Sequence, residues 1–287
     1  MSVQITRAHV QQYKSRVEQL LQQKRSRFAD AVSTDTYTGK AATVVEQVGA
    51  VAAVEKTVRH ADTAIVDIPH DRPWVFPRDF PFAAFIDRED KLRMLADFEN
   101  PYAESLTSAL QRQKDDLIIA AATGTTMTGE NGTTSTVFDT AYSIASGSVG
   151  LTVDKLIQAS EKLNAAENDP DEPRYCAITA RGLRDLLNDT QVTSHDYNSV
   201  RALVQGEVDT FLGFKFIRTQ RLGTTSSERA VLCWTKSGLH LGMWGGVDVE
   251  IDRRPDKAYL TQVFVSASMG ACRTQNGKVI RIFCTES

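Results

Sequence analysis

Four groups of residues in this 287-residue chain have the types that chemistry uses. The first is Gly124-Thr125-Thr126-Met127-Thr128-Gly129-Glu130-Asn131, which follows a phosphate-binding loop as far as its second glycine. Such a loop needs a Lys and then a Ser or Thr at the next two positions, the Lys to hold the phosphates. Glu130 and Asn131 stand there instead, and Glu130 repels phosphate, so the segment reads as a polar loop. The second group is His60 and His70 with Asp62, Asp67 and Asp71. These could ligate a metal only if two strands paired to bring them together, and none of the five histidines (His9, His60, His70, His195, His240) has HExxH or HxH spacing. A solvated polar loop is the plainer reading. The third is the acidic pairs Asp115-Asp116 and Asp169/Asp171. Acid–base catalysis needs two carboxylates that converge, whereas adjacent helical residues diverge and the second pair flanks Pro170. The fourth, Gly147-Ser148-Val149-Gly150, lacks the Gly-x-Ser-x-Gly spacing of a nucleophile elbow. Trp74, Trp234 and Trp244 read as packing residues. No catalytic, cofactor-binding or metal-ligating residue is assigned.

Composition agrees with a protein built for packing. The chain is 41% hydrophobic and 24% charged, long enough for a substantial core. A net charge of −3 argues against a main task of gripping nucleic acid. No run approaches the roughly twenty apolar residues of a membrane span, and Met1 to Thr6 carries no secretory h-region. The cysteines (Cys176, Cys233, Cys272, Cys284) make no CxxC pair and read as reduced structural thiols.

The elements follow from periodicity. Val10 to Val32 has helical spacing, with six Lys or Arg against two Asp or Glu in the first thirty residues. Gly39 to Glu89 is extended, with short alternating runs such as Ala64-Ile65-Val66-Asp67-Ile68, and Pro69, Pro73 and Pro77 confine any strand here to an edge or ribbon. A two-stranded ribbon is marginal alone in water, so this segment is expected to complete its burial on another subunit. Next comes a long helix capped by Asn100, with Pro101 in its first turn and Gly124 at its end. Its Tyr102–Leu106–Leu110–Leu117 face is apolar and its Ser108–Asp115–Asp116 face polar, predicting packing on one side only. Thr123 to Gly150 reads as a long surface loop. Helices are expected over Val153–Leu163 (Thr152 as cap, Pro170 as stop), Leu183–Leu187 and Val200–Val208, and strands over Tyr175–Ala180, Phe211–Ile217, Ala230–Trp234 and Leu239–Trp244. Together they predict one layer of helices against a sheet. Val247, Val249 and Ile251 alternate with acidic residues, and Tyr259–Arg273 and Lys278–Cys284 read as a hairpin joined at Asn276-Gly277.

This order of parts resembles the major capsid proteins of tailed double-stranded DNA phages, the Hong Kong-97 type. The resemblance is carried by Arg59–Thr63 and Phe85–Asp90 around the ribbon and by Ala109–Ile118 on the long helix. It continues through Arg174–Thr179 to Leu187, Gly213–Phe216 and the ending Val265–Arg273. It implies an α+β fold with an N-terminal arm (1–38), an extended β-ribbon E-loop (39–88), and a peripheral domain holding the spine helix (89–150). An axial domain (151–245) and peripheral terminal strands (246–287) complete it. It further implies hexamers and pentamers closing an icosahedral shell around phage DNA in the virion, after assembly in the host cytoplasm. No enzyme activity and no cofactor are implied. Expected partners are other copies of the chain, a portal protein at one vertex, a separate scaffolding protein, a decoration protein, and packaged DNA held by non-specific contact; no membrane is involved. Lys56 is a ribbon lysine with no identifiable cross-linking partner. An encapsulin-like nanocompartment shell is the alternative within the fold. From another class, the alternative is an αβ enzyme using His195 or the ribbon His/Asp set.

Overall fold

The computed structural model describes residues 22–49, 51–53, 55, 59, 65, 67–87, 99–188, 210–225 and 227–286. They divide into two interleaved units. The larger contains 26–49, the described part of 51–78, and 113–188, 210–225, 227–245 and 268–286; the smaller contains 22–25, 79–87, 99–112 and 246–267.

The larger unit is built on a seven-stranded mixed sheet in the order Thr210–Phe211, Phe214–Arg218, Arg174–Ile178, Glu228–Thr235, Val279–Thr285 and Ser143–Ile144, with Thr224–Thr225 pairing on the Glu228 strand. Its central strands are buried on both faces, which explains the uninterrupted apolar run Val231-Leu232-Cys233-Trp234. Side chains alternate between two cores. Cys176, Ile178, Val231, Cys233, Ile280 and Ile282 face helices α2 (Val153–Ala165) and α3 (Ala180–Asn188). Ala177, Leu232, Trp234 and Val279 instead join Phe28, Ala31, Ile118 and Ala122. Here the one-helix-layer expectation fails: the last turns of α1 (Glu99–Thr123) and the 28–32 segment cover the second face.

Several local expectations match. The Thr152 side chain caps α2 by accepting from Lys155 N, and α2 stops at Ala165, five residues before Pro170. Gly124 N donates to Ala120 O at the end of α1. Others do not. The helix expected over Val10–Val32 lies partly outside the described residues, but 22–28 is not helical and only a 3₁₀ turn, Ala29–Ala31, forms. The helix expected at Val200–Val208 also lies outside the described residues. Phe211–Ile217 is two strands and a tight turn, with Leu212 and Gly213 at φ of 51° and 80°. Thr123–Gly150 is more ordered than a surface loop. Thr126–Thr128 pairs with Thr134–Thr136 through a turn in which Gly129 and Gly132 have φ of 88° and 66°, and Phe138 and Ile144 are buried.

The terminal hairpin is also corrected. Val279–Thr285 pairs with Glu228–Thr235 and Ser143–Ile144, while Leu260–Arg273 belongs to a different sheet. Asn276–Lys278 is a 3₁₀ turn that passes the chain between sheets, and Gly277 is not among the positive-φ glycines. The physical reason is competition: Val279–Thr285 buries Val279 on one face and Ile280, Ile282 and Cys284 on the other, and gains more inside the larger sheet than beside its sequence neighbour.

In the smaller unit, residues 246–254 run beside 260–267, and the latter also neighbours Arg78–Ile86. Ala258 and Tyr259, with φ of 51° and 56°, reverse the chain between the two long strands. The Val249/Ile251 alternation buries no face, because both side chains are over 40% exposed. The polar stripe of α1 departs from expectation as well. Ser108, within the smaller unit, is buried with its Oγ donating to Glu104 O at 2.7 Å, and Asp115, within the larger unit, is wholly buried.

Candidate functional site

The segment that cannot complete its own packing is the ribbon. Ala42–Thr43 pairs antiparallel with Trp74–Val75, and Gln47–Val48 with His70–Asp71. Val44 N donates to Pro73 O (3.1 Å) and Gly49 N to Pro69 O (2.8 Å), so these prolines contribute the acceptor that they still have. The root is firmly held within the larger unit. Trp74 Nε1 donates to Gly129 O at 2.7 Å, Val75 is buried, and Gln47 Nε2 donates to Thr274 O at 3.0 Å. Outward from that root the described apolar side chains are incompletely covered: Val45, Val51 and Ile68 are exposed, Val48 is 61% exposed and Ile65 97% exposed. Burying a Val or Ile fully is worth about 1.5–3 kcal/mol, so five such residues are a strong drive to association.

Among the described residues, none of the groups with chemical potential assembles into a reaction centre. His70 is exposed, and Asp71 Oδ1 accepts from Arg72 N (2.8 Å) and Gly129 N (3.0 Å). That second bond occupies a backbone N–H which a phosphate loop would have to offer its ligand. Asp67 is exposed; His60, Asp62 and His195 lie outside the described residues. Among the described residues no cluster of three or more His, Cys, Asp or Glu could hold a metal. Asp115 and Asp116 do diverge. Asp115 accepts from Ser26 Oγ, Arg27 N and Phe28 N, while Asp116 pairs with Arg221, whose Nε lies 2.6 Å from Asp116 Oδ1. Asp169 Oδ1 accepts from Asp171 N in a local turn. Trp234 is buried and stacked between Phe28 and Tyr175, its Nε1 donating to Ala31 O, and so offers no face to a base.

Three polar side chains to which the sequence analysis gave no role turn out to be buried and structural. His240 sits between Ser33 Oγ at Nδ1 and Tyr37 Oη at Nε2, both 2.9 Å away, and burial lowers its pKa below the usual histidine value. Although a Ser–His contact can serve nucleophilic catalysis, this one is 1% exposed and closed to substrate. The Lys155 ammonium reaches the carbonyls of Ser146, Val149, Gly150 and Phe283 at 2.8–3.1 Å, and burial lowers its pKa. Arg273 Nη1 reaches the carbonyls of Ala121, Ala122 and Gly124, and burial pulls its pKa down to about 10. A signal existed for Lys155, and for the burial of Asp115. Asp115 is in helical phase with Ile118 and Ala122, and Lys155 with Ala159 and Leu163, so each lies on an apolar face.

The family model described as phage capsid protein matches residues 5–286. The chain belongs to the phage capsid protein family. As a capsid protein it is a structural component of the virion and not an enzyme. Its fold is of the Hong Kong-97 type, seen in full-length similarity to solved capsids. The capsid structure of cyanophage P-SCSP1u gives a TM-score of 0.76 at 16% identity, covering 99% of this chain and 95% of that one. A chain of Mycobacterium phage Che8 gives 0.73 at 16% identity, covering 96% and 97%. The capsid of a native GTA particle gives 0.71 at 11% identity, covering 98% and 96%. No curated protein matches the chain in sequence.

Proposed function

We propose that this capsid protein is the major, shell-forming subunit, that it assembles as hexamers and pentamers into an icosahedral shell around phage DNA, and that the ribbon is its principal intersubunit element. The observation that carries this reading is the contrast within one segment, a root fixed by Trp74 and Gln47 and a distal part whose Val45, Val48, Ile65 and Ile68 are exposed. In these terms residues 39–88 act as the E-loop and 1–38 as the arm. The spine helix and residues 246–287 belong to a peripheral domain, and 151–245 to an axial one. A portal protein at one vertex, a separate scaffolding protein and a decoration protein are further partners by analogy. DNA is retained by enclosure, since the chain carries a net charge of −3. Negative-stain microscopy of the purified protein tests the proposal: closed shells or capsomer rings support it, and a uniform small oligomer at all concentrations contradicts it.

A further inference from the structure

The chain contains two Asn-Gly pairs, Asn131-Gly132 and Asn276-Gly277. In such a pair the glycine carries no Cβ to shield its backbone nitrogen, which can attack the side-chain amide carbon of the asparagine before it. The reaction depends on how firmly the fold holds the asparagine, and the two pairs differ in that respect.

Asn276 is held. It opens the 3₁₀ turn Asn276–Lys278, its backbone carbonyl accepts from Val279 N, its Nδ2 donates to Val137 O at 3.4 Å, and its Oδ1 is buried. Gly277 packs near Ala166 Cβ, and its carbonyl accepts from Asn168 Nδ2 at 2.9 Å. Bringing Gly277 N onto the Asn276 side chain would turn ψ out of the 3₁₀ range of about −20 to −30° and break the turn. Asn131, in contrast, is exposed, in the turn that joins Thr126–Thr128 to Thr134–Thr136. The same rotation there gives up one long backbone contact, Gly132 N to Gly129 O at 3.4 Å. Gly129 O keeps its 2.7 Å bond from Trp74 Nε1.

From this contrast we infer that Asn131 is a site of spontaneous deamidation, and that Asn276 in the folded protein is not. Gly132 N attacks Asn131 Cγ, its proton passes to solvent, and the side-chain nitrogen leaves as ammonia, closing a five-membered succinimide. Water then opens the ring at one of its two carbonyls. The product is aspartate or, with the main chain rerouted through Cβ, isoaspartate. The net change is amide plus water to carboxylic acid plus ammonia. The new carboxylate stands next to Glu130, on a turn whose Gly129 N already donates to Asp71 Oδ1, so it meets like charge. Isoaspartate also adds one main-chain atom to a tightly fitted turn: a Cβ on Gly132 would lie 2.8 Å from Trp74 Cγ. Modification therefore loosens the hold of this turn on the root of the ribbon.

The test incubates the whole chain, unassembled, at mildly alkaline pH, beside a sample unfolded in guanidinium, and maps both asparagines by peptide mass spectrometry after digestion in acid. In the folded protein acid is expected at 131, as isoaspartate and aspartate together, with 276 intact. Unfolded, both positions should react at similar rates. Asn131→Gln, one methylene too long for five-membered closure, should keep its amide and its thermal midpoint, while the wild-type midpoint falls as acid accumulates. An Asn131 that stays intact in the folded protein, or an Asn276 that reacts as fast, would overturn the inference. So would an Asn276 equally inert when unfolded, aspartate formed without isoaspartate, or an equal loss of midpoint in Asn131→Gln.

Discussion

Asp115, wholly buried on the spine helix, accepts a hydrogen bond of 2.5 Å from the hydroxyl of Ser26, 89 residues earlier in the chain. The same carboxylate takes the backbone N–H groups of Arg27 and Phe28, so it organises the entry to the 3₁₀ turn that brings Phe28 onto Trp234. Removing it strands three donors, one buried at Phe28 and two part-buried at Ser26 and Arg27. Asp115→Ala should therefore destabilise the unassembled subunit by about 3 kcal/mol. Asp115→Asn should fall between wild type and Ala, because one oxygen remains while an amide donor turns toward an N–H. Urea midpoints for the three proteins check this ordering; an Ala variant as stable as wild type would remove Asp115 from the account.

His240 predicts a pH dependence. Burial lowers its folded pKa below the value near 6.5 that it has when unfolded. Above that value both states are neutral and nothing is lost. As pH falls below about 6.5, the unfolded state takes up the proton first, so stability declines until the folded pKa is reached. Between pH 7.5 and 5.5 the denaturation midpoint of wild type should drop, and His240→Gln should show a flatter profile. Parallel profiles would mean that other groups carry the slope.

Glycines separate two kinds of tight packing. A Cβ on Gly270 would collide with the carbonyl of Phe76 at the ribbon root, and that backbone cannot swing aside as a side-chain end could. At Gly277 the nearest atom is Ala166 Cβ at 3.1 Å, followed by the Tyr142 hydroxyl at 3.4 Å, and the residue has no positive φ to lose. Gly270→Ala should cost about 2–3 kcal/mol and Gly277→Ala under about 1.5 kcal/mol. Thermal melts of the two variants decide the ranking, and a reversed order would contradict it.

Charge makes a prediction about DNA. With a net charge of −3 and six basic against two acidic residues in the first thirty, free subunits should bind DNA weakly and without sequence preference. That binding should vanish between about 50 and 200 mM salt, as phosphate contacts do. A gel-shift series over this range is the check. Tight, sequence-selective binding at the upper end would require a dedicated reader that the account does not contain.

The sequence was most legible where structure is local. Helix α2 with its Thr152 cap, the end of α1 at Gly124 and the strand Glu228–Thr235 all follow from spacing within a dozen residues. It was least legible where partners are distant. Val279–Thr285 chose Glu228–Thr235 over its neighbour across the Asn276-Gly277 turn, a choice made by burial on both faces and invisible to turn chemistry. The 123–150 segment reads as polar loop because several of its anchors are distant: the Trp74 indole, 55 residues before Gly129, donates to Gly129 O, and Ile144 pairs with Ile282. For the ribbon, the alternation and prolines announced an element short of partners, but not that its root would be anchored by Gln47 and Trp74.

The most direct test of the central claim changes only the exposed part of the ribbon. Val48→Asp combined with Ile68→Asp places charge where burial on a neighbouring copy is proposed, while Val75, Trp74 and Gln47 keep the root intact. Electron microscopy and sedimentation of this variant beside wild type give the answer. The account predicts wild-type shells and, for the variant, folded subunits or small rings with an unchanged thermal midpoint for the unassembled chain. Closed shells of normal size from the doubly charged variant would contradict it.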